Sequence, residues 1–398
     1  MKYLIIGAGP AGLSIANRML QNGEKDFLVL EQEETAGGLC RSIQADGSPL
    51  DIGGGHFLDV KRKEVLQFLF GFMPETEWDT YDRDSKIEIH DTVINSPIEA
   101  NIWQMKISDQ VEYLKAIAVA GCNLGLEKPE KFVDWIYWKL GEKIAKEYMI
   151  PYNQKMFGED LDALGTYWLE KLPNVSFDET LTSCLERKAY GSQPGHAKFY
   201  YPKKYGYGEL WIRMATALGD KIKYNTKIKK LDFNQHEVND TYQADIIINT
   251  APWKSFEKLT GLPESLKKAV DTLKYSSVVI EHHKERLDTA AQWIYYPDPK
   301  LSYHRILVRH NFCPNASGYW TETNLTRFTQ GEEYAYINEY AYPLNTVGKQ
   351  ETMQELLTWT KQQGVYGLGR WGEWQHYNSD VVVELALNMA DQFCNKNK

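Results

Sequence analysis

A strand, a glycine turn, a helix and a second strand follow one another in the first thirty residues, and this order limits the fold more than any other feature. The apolar run Tyr3–Ile6 predicts a buried parallel strand. Residues 13–20 carry an apolar helical face, and this helix is predicted to end near Gly23. The next strand, Phe27–Leu30, ends at Glu31. The order is that of a βαβ unit that binds a dinucleotide.

The first turn has the spacing Gly-x-Gly-x-x-Gly. Gly7 permits the tight bend, Gly9 lets the backbone approach a pyrophosphate, and Gly12 lets the helix lie close to the strand. The pyrophosphate then meets the helix N-terminus, and Glu31 accepts hydrogen bonds from a ribose. The alternative is an ordinary glycine-rich turn, and the strand–helix–strand context disfavours it.

Two further glycine turns favour FAD over NAD. One contains Gly38 and Arg41 and comes directly after the second strand; the next contains Gly54 and His56. Both resemble segments of the flavoproteins with two dinucleotide-binding domains, which include amine oxidases, protoporphyrinogen oxidases and sugar-nucleotide mutases. The resemblance implies that the former turn lies along the FAD pyrophosphate and the latter against the flavin. Backbone N–H groups of such turns reach phosphate oxygens, and Arg41 adds charge.

Composition excludes several classes of function. The 398-residue chain is 43% hydrophobic and 25% charged, which is ordinary for a globular protein with two or three domains. Its net charge of −9 argues against a nucleic-acid partner. Five scattered cysteines show no metal-ligand spacing, so we expect no metal and reduced thiols in a cytoplasmic protein. No segment reaches membrane-span length, and the N-terminal apolar run is too short for a signal sequence.

The middle of the chain has a helical pattern. One apolar helical face is marked by Ile107, Val111, Leu114 and Ala118. Ser108 is the expected N-cap of this helix, and Gly121 is the expected stop. A second helical run from about residue 130 is predicted to end at Pro151. Residues 199–211 are predicted to form a loop rich in glycine and tyrosine. Alternating segments between residues 275 and 340 predict a mostly antiparallel sheet.

Together these patterns predict an α/β fold, with a Rossmann-like FAD-binding domain, a helical insertion and an antiparallel substrate-side sheet. The predicted bounds are 1–60, 199–274 and 341–398 for the FAD-binding domain, 100–198 for the helical insertion, and 61–99 with 275–340 for the sheet domain.

Later blocks resemble the UDP-galactopyranose mutases, the eukaryotic branch more than the bacterial one, in the same order along the chain. They are Asp51–His56, Pro151–Asn153 with Phe157, Tyr201-Pro202, Trp293 and Tyr295 with Arg305, Tyr342-Pro343, and Gly369–Gly372. The glycine motifs are shared by the whole superfamily, whereas the later blocks are more specific.

The resemblance implies which residues bind. The cofactor-binding residues are Gly7, Gly9, Gly12, Glu31, Gly38, Arg41, Gly54, Arg370, Asn378 and Asp380. The substrate-binding residues are Glu99, Asn153, Phe157, Lys171, Trp293, Tyr295, Arg305, Tyr342 and His376. Flavin N5 carries the chemistry, and His56 and Arg305 are the candidate catalytic residues of the protein. Each has a simpler alternative: His56 as an ordinary loop histidine, and Arg305 as the partner of a surface carboxylate.

The chain departs from the mutase pattern where that family reads uracil. Ser96 replaces a stacking tyrosine, and Glu99 replaces a glutamine. Lys171 stands in place of a second diphosphate-binding arginine, and His376 in place of a late tyrosine. A carboxylate accepts hydrogen bonds from guanine N1 and N2, so a GDP-sugar is one hypothesis. In the alternative, Glu99 faces solvent and another residue reads uracil.

Three functions follow from the resemblance. The first is a mutase that interconverts the pyranose and furanose forms of a nucleotide-diphosphate sugar, with reduced FAD as nucleophile and NAD(P)H as a candidate reductant. The second is an FAD-dependent oxidoreductase of the amine oxidase or protoporphyrinogen oxidase type. The third is a binding protein like the GDP-dissociation inhibitors, which share the fold without using FAD.

Overall fold

The computed structural model describes residues 1–169, 172, 174–191, 197–313, 315–329, 331, 332 and 334–395. The strands are β1 (Tyr3–Ile6), β2 (Phe27–Leu30), β3 (Ser42–Ala45), β4 (Ser48–Asp51), β5 (Leu58–Asp59), β6 (Trp78–Asp82), β7 (Ser85–Ile89), β8 (Thr92–Asn95), β9 (Lys198–Pro202), β10 (Ile222–Lys223), β11 (Lys230–Asp232), β12 (Glu237–Val238), β13 (Tyr242–Gln243), β14 (Ile246–Asn249), β15 (Lys258–Thr260), β16 (Tyr275–His283), β17 (Trp293–Tyr295), β18 (Tyr303–Leu307), β19 (Tyr319–Asn324), β20 (Ala335–Pro343) and β21 (Val365–Gly367). The helices are α1 (Pro10–Gln21), α2 (Lys63–Phe70), α3 (Ile98–Asn101), α4 (Ile107–Ala118), α5 (Phe132–Ile144), α6 (Ile150–Phe157), α7 (Phe177–Glu186), α8 (Gly208–Leu218), α9 (Glu264–Thr272), α10 (Lys349–Gln362), α11 (Gly369–Gly372) and α12 (Ser379–Asn395).

The chain divides into two compact units. Unit 1 contains Met1–Asp79, Tyr200–Lys274 and Gly348–Lys398, and unit 2 contains Thr80–Phe199 and Tyr275–Val347. The three-part division of the sequence stays a prediction. No helix among the described residues has the length and apolar character that a membrane crossing requires.

Unit 1 contains a parallel five-stranded sheet in the order β10-β2-β1-β14-β21. Tyr3 in β1 is in register with Phe27 on one side and with Ile246 on the other. Every residue of β1 is buried, as expected for a central parallel strand covered on both faces. The helix α1 links β1 to β2. The predicted βαβ unit and the α/β class are therefore confirmed.

Unit 2 contains a seven-stranded sheet in the order β20-β16-β19-β18-β17-β7-β8. Its neighbours are antiparallel except β17 and β7, so the predicted mostly antiparallel sheet is confirmed. The hairpin between β7 and β8 turns at His90 and Asp91, both with positive φ. The predicted loop at 199–211 is partly wrong, because β9 extends to Pro202.

The predicted apolar face of α4 is wrong. Tyr113 and Ile117 are its buried side chains, whereas Ile107 and Val111 are exposed. Tyr113 also donates a hydrogen bond to Glu147, at 2.7 Å, which turns this side of α4 inward. Ser108 lies inside the first turn and makes no capping bond, so the predicted N-cap is also wrong.

The predicted helix end at Pro151 is wrong as well. A π-helical turn, Ala145–Met149, leads from α5 into α6, and the helical path continues to Phe157. Pro151 lies in the first turn of α6. A proline is tolerated there because the first turn of a helix needs no intrahelical N–H bond.

Candidate functional site

The three glycines of the first turn in unit 1 have different surroundings. A Cβ on Gly7, whose φ is +98°, would lie 2.5 Å from Thr250 Oγ1, and one on Gly12 would lie 1.9 Å from the Gly7 carbonyl oxygen. The chain itself therefore requires both glycines, for the reasons predicted. A Cβ on Gly9 would meet only Gly38 Cα, at 3.8 Å. Nothing in the described protein fills the space beside Gly9.

The second glycine turn lies directly on the first. The Gly37 N–H donates to the Ala8 carbonyl at 2.9 Å, and a Cβ on Gly38 would come within 3.2 Å of Gly9 Cα. Arg41 donates from Nε to the Gly38 carbonyl at 3.0 Å and from Nη1 to Glu33 at 3.1 Å. Two backbone turns and a cation thus lie together at the N-terminus of α1.

Glu31 ends β2 and joins this region through its carboxylate. Oε2 accepts from the Ala8 N–H at 2.6 Å, and Oε1 accepts from the Glu33 N–H at 3.0 Å. Burial raises the pKa of the Glu31 carboxyl, and the two backbone N–H groups act in the opposite direction. Each oxygen still has a lone pair that a ribose hydroxyl can use.

The loop with Gly54 and His56 is held by Asp51 and by aromatic rings. The buried Asp51 carboxylate accepts from the Tyr207 N–H at 3.2 Å and from the Tyr201 hydroxyl at 3.0 Å. Gly54 has a φ of +94°, and its carbonyl lies 3.0 Å from His56 Nδ1. The His56 ring stacks on Tyr207 with centroids 6.4 Å apart. These hydrogen bonds and the ring contact fix the conformation of the loop.

The C-terminal candidates surround the start of α12 in unit 1. Arg370 donates from Nε and Nη2 to the Tyr377 carbonyl, at 3.1 and 2.8 Å. Asn378 is exposed, and His376 is half-buried. Asp380 is buried in the first turn of α12. Its Oδ2 pairs with Arg62 Nε at 2.8 Å, whereas Oδ1 has no partner among the described residues.

The substrate candidates of unit 2 converge on Arg305. Arg305 on β18 is the register partner of Tyr295 on β17. Its Nε and Nη2 lie 2.7 and 2.6 Å from one oxygen of the buried Glu322, and Nη2 donates to the Tyr342 hydroxyl at 3.2 Å. Burial alone would lower the pKa of Arg305, but Glu322 and nearby tyrosine hydroxyls raise it well above its usual value. No described residue binds Nη1.

Arg83 is a second cation in this cluster, and the sequence analysis missed it. Its Nη2 donates to the Tyr295 hydroxyl at 2.6 Å, and its guanidinium lies 4.8 Å from the centre of the Trp293 ring. Arg83 lies two residues before the start of the hairpin strand β7, which pairs with β17. Only this long-range pairing brings it to the site, and no local motif marks it.

The helix α6 presents aromatic side chains to the same cluster. Tyr152 makes edge contacts with Tyr295 and with His304, at centroid distances of 5.6 and 5.8 Å. Phe157 makes an edge contact with Tyr342 at 6.4 Å. The Asn153 amide nitrogen instead donates to the carbonyl of Met149, the last residue of the π-helical turn before α6, at 2.7 Å. Tyr152 therefore contacts the cluster more directly than the predicted Asn153.

Glu99 lies on the short helix α3 and is buried, at 8% exposure. The alternative that Glu99 faces solvent is therefore wrong. Burial raises the pKa of its carboxyl, and Lys139 acts in the opposite direction. Lys171, the other cation predicted for the substrate, lies outside the described residues.

Two buried groups, Glu322 and His304, adjoin Arg305, and sequence reasoning found neither of them. Glu322 holds the guanidinium, and His304 Nε2 lies 3.7 Å from the same Glu322 oxygen. Neither ring nitrogen of His304 has a hydrogen-bond partner in the described structure. Burial, together with Arg305 and Lys155, lowers the pKa of His304 well below its usual value. The pairing of β18 with β19 is irregular at residues 303–305, and the shifted register puts Arg305 opposite Glu322. No sequence pattern predicts such a bulge.

Comparison with known proteins places residues 5–70 in the family described as NAD(P)-binding Rossmann-like domain. L-amino acid oxidase Bs29 of Bothriechis schlegelii is 22% identical over 356 residues, which are 75% of this chain and 66% of that protein. All-trans-retinol 13,14-reductase of Danio rerio is 28% identical over 104 residues, 26% of this chain and 16% of that protein. The chain spans less than two thirds of the length of both relatives.

Solved structures resemble the whole chain. A reduced UDP-galactopyranose mutase has a TM-score of 0.88 at 21% identity, with 99% of this chain and 94% of that chain covered. A putative protoporphyrinogen oxidase from Exiguobacterium sp. 255-15 has a TM-score of 0.69 at 13% identity, with 99% of each chain covered. At these identities the likeness establishes the fold.

Proposed function

We propose that this chain is an FAD-dependent mutase that interconverts the pyranose and furanose forms of a nucleotide-diphosphate sugar. The observation that carries the proposal is the state of Arg305. Its side chain is only 17% exposed, and its guanidinium is held by Glu322 and Tyr342, while Nη1 has no partner among the described residues. A fixed cation with one unused edge suits a phosphate group, which binds arginine through paired N–H donors.

Unit 1 has the features that FAD requires. The unfilled space beside Gly9 allows a pyrophosphate to reach the N-terminus of α1. Glu31 offers lone pairs to a ribose, and the orphaned Oδ1 of Asp380 needs a hydrogen-bond donor such as a ribityl hydroxyl. Bound and reduced, FAD would supply a nucleophilic nitrogen for the anomeric carbon of the sugar.

The residues of unit 2 have three tasks in this proposal. Arg305 and Arg83 neutralise the diphosphate, both in the ground state and as charge grows on the leaving group. The Tyr295 and Tyr342 hydroxyls donate to its oxygens. The aromatic rings of Tyr152 and Phe157 exclude water from the sugar. The buried His304 has its pKa lowered and stays neutral, so it adds no charge to the cluster.

Glu99 bears on which base the substrate carries. Glu99 is buried. After burial itself, nearby charges including that of Glu99 raise the pKa of Tyr148, and the Tyr148 ring stacks on Tyr152 with centroids 5.7 Å apart. Glu99 therefore lies near Tyr148, and Tyr148 contacts the Arg305 cluster through Tyr152. We propose that the enzyme prefers a GDP-sugar, because a carboxylate accepts from guanine N1 and N2. Titration of the reduced protein with GDP and UDP tests this. Tighter UDP binding that is unaffected by Glu99→Gln would contradict it.

The second candidate is an FAD-dependent oxidoreductase. The names of two matching proteins favour it, the snake L-amino acid oxidase and the putative protoporphyrinogen oxidase. A binding protein without FAD is the third candidate, and a colourless purified protein would support it.

One experiment separates these functions. The purified protein is incubated with a panel of nucleotide sugars, with and without dithionite, and products are separated by chromatography. A mutase converts one sugar to its ring isomer only when the flavin is reduced, with no net oxidation. Conversion that needs oxygen and produces hydrogen peroxide would identify an oxidase instead.

A further inference from the structure

A π-helical turn, Ala145–Met149, leads into the helix α6, which contacts the Arg305 cluster. A π-helical turn contains one more residue than an α-helical turn, so it rotates the residues after it by about 100° around the helix axis. The turn therefore sets which side chains of α6 face the strands β17 and β18. Turns of this kind are rare and often occur at functional sites, so the contacts that fix this one bear on the site.

Glu147, in the middle of this turn, accepts hydrogen bonds from three other elements. Its Oε2 accepts from the Tyr113 hydroxyl of α4 at 2.7 Å and from Nε2 of His90, in the β7–β8 turn, at 2.6 Å. Its Oε1 pairs with Lys143 Nζ of α5 at 2.7 Å. Burial raises the pKa of Glu147, but these three donors outweigh it and leave the pKa below its usual value. The turn is therefore tied to three neighbouring elements through one carboxylate.

The residue after Glu147 belongs to the candidate site. Tyr148 is 9% exposed, and its ring stacks on Tyr152 with centroids 5.7 Å apart. After burial, which raises the pKa of Tyr148, Glu99 raises that pKa further and Arg83 lowers it. The π-helical turn thus carries the carboxylate that fixes it on one residue and a tyrosine of the site on the next.

Tyr152 is the side chain that this arrangement orients. It makes edge contacts with Tyr295 of β17 and with His304 of β18, at centroid distances of 5.6 and 5.8 Å. Edge-to-face contacts depend on the angle between the rings, so a rotation of α6 would weaken both. The position of the Tyr152 ring therefore depends on the conformation of the turn that precedes it.

We propose that Glu147 is a positioning residue of the nucleotide-sugar site. By fixing the π-helical turn, it holds the Tyr148 ring behind Tyr152 and keeps Tyr152 against the strands that carry Tyr295 and Arg305. In the part of the chain that the structure describes, no hydrogen bond or ion pair joins Glu147 to Arg305, so its effect passes through the turn. The inference rests on the proposed function, because it takes a nucleotide diphosphate as the ligand of Arg305.

The first test is nucleotide affinity, measured by calorimetric titration with GDP and UDP. Glu147→Gln keeps the size of the side chain but replaces one acceptor oxygen with an N–H donor, so the three donors can no longer all be bound. It should raise the dissociation constant of the tighter nucleotide by about tenfold and leave the flavin absorbance unchanged. Glu112→Gln is the matched control, because Glu112 is 61% exposed on α4 and pairs with Lys143 outside the turn. The control should change the constant by less than about twofold.

A double-mutant cycle separates positioning from a general loss of stability. Tyr152→Leu should also weaken binding, and adding Glu147→Gln to it should cost less than about a further twofold, because the ring to be positioned is gone. Tyr113→Phe removes one donor and keeps its ring, and it should shift the affinity in the same direction as Glu147→Gln. Circular dichroism checks that the variants are folded. Effects of Glu147→Gln and Tyr152→Leu that multiply, or a lower melting temperature of Glu147→Gln with unchanged affinity, would overturn the inference.

Hydrogen exchange tests the turn without a ligand. The backbone N–H groups of residues 145–157 should exchange faster in Glu147→Gln than in wild type, and at the wild-type rate in Glu112→Gln. Unchanged exchange in Glu147→Gln would overturn the inference alone. A wild-type protein that binds neither GDP nor UDP would contradict the proposed function, and the assignment of Glu147 to a nucleotide site would fall with it.

Discussion

The glycines of the first turn differ in whether the protein's own packing requires them. Gly12 is required by the chain, because a Cβ would lie 1.9 Å from the Gly7 carbonyl oxygen. Gly9 is not required by the chain, because its surroundings leave room for a side chain. The motif predicts all three positions from the sequence, and the structure separates the glycine that serves folding from the one that serves a ligand.

The first prediction follows from this difference. Gly9→Val should fold and lack FAD, because its side chain occupies the space for the pyrophosphate. Gly12→Val should fail to fold, since its side chain meets backbone. Flavin absorbance and circular dichroism measure the two properties. A folded Gly9→Val protein with stoichiometric FAD would show that the cofactor binds elsewhere.

The second prediction concerns Arg305. A charge-assisted contact to phosphate contributes about 1.5–3 kcal/mol, so Arg305→Ala should weaken nucleotide-diphosphate binding roughly ten- to hundredfold. The flavin spectrum should not change. Arg213→Ala is the matched control, because Arg213 also binds a glutamate through two N–H groups, Glu77 in unit 1. Calorimetric titration with GDP and UDP measures the effect, and equal losses in both variants would remove Arg305 from the site.

Motif spacing led to Tyr295, Arg305 and Tyr342, and the structure brings the three together. It did not lead to Arg83 or Glu322. Arg83 has no motif of its own and reaches the site through the pairing of β7 with β17. Glu322 is a strand residue that looks like any other charged position until the register of β18 and β19 places it beside the guanidinium.

At the scale of elements, α6 is fixed to the β17–β18 connection by one side chain. Lys155 is fully buried, and its Nζ donates to the carbonyls of Tyr296 and Asp298, at 2.6 and 2.8 Å. Burial, followed by the charge of Arg327, lowers the pKa of Lys155 to about 7. The connection joins the strands that carry Tyr295 and Arg305, so the Lys155 contact holds α6 against this part of the sheet.

The third prediction is a pH dependence of stability. The unfolded chain keeps the Lys155 proton up to its ordinary pKa of about 10.4, whereas the folded protein releases it near pH 7. Between these values the unfolded state binds more protons, so this group makes stability rise with pH, by at most about 1.4 kcal/mol per unit. Lys155→Met should remove that slope in urea unfolding, and the exposed Lys361→Met should not. An unchanged slope in Lys155→Met would contradict the shifted pKa.

Element boundaries were predictable where a local signal ends them. The strands β1 and β2 were placed to the residue, because apolar runs are flanked there by glycine and charge. The buried side of α4 was not predictable, since hydrophobic periodicity assumes that the apolar side faces its own core. At Pro151 the rule that proline ends a helix failed, because a π-helical turn lets a new helix begin there.

At the scale of the whole molecule, the fourth prediction concerns ligand linkage. A ligand that binds only the folded state stabilises it by about 2.7 kcal/mol at one hundred times its dissociation constant. Added FAD should therefore raise the melting temperature of the apoprotein and leave that of Gly9→Val unchanged. Differential scanning fluorimetry measures both. An equal rise in the two proteins would indicate a flavin site away from the first glycine turn.

Sequence and structure agree on the α/β class for a physical reason. Parallel strands buried on both faces need continuous apolar runs, and such runs are visible in a single sequence. The division into two units was less visible, because each unit is assembled from segments far apart in the chain.

The carboxylate of Glu31 has a consequence for which dinucleotides can compete with FAD. Burial raises the pKa of this carboxyl, whereas two backbone N–H groups hold it directly after β2 and favour its ionised form. A 2′-phosphate on an adenosine ribose would meet this negative charge at close range, whereas a free 2′-hydroxyl would donate to it. We therefore expect NADPH to bind poorly in the glycine turn because of its extra phosphate. If NADPH is the reductant, we expect it to bind at a separate site and to reduce FAD while FAD stays bound.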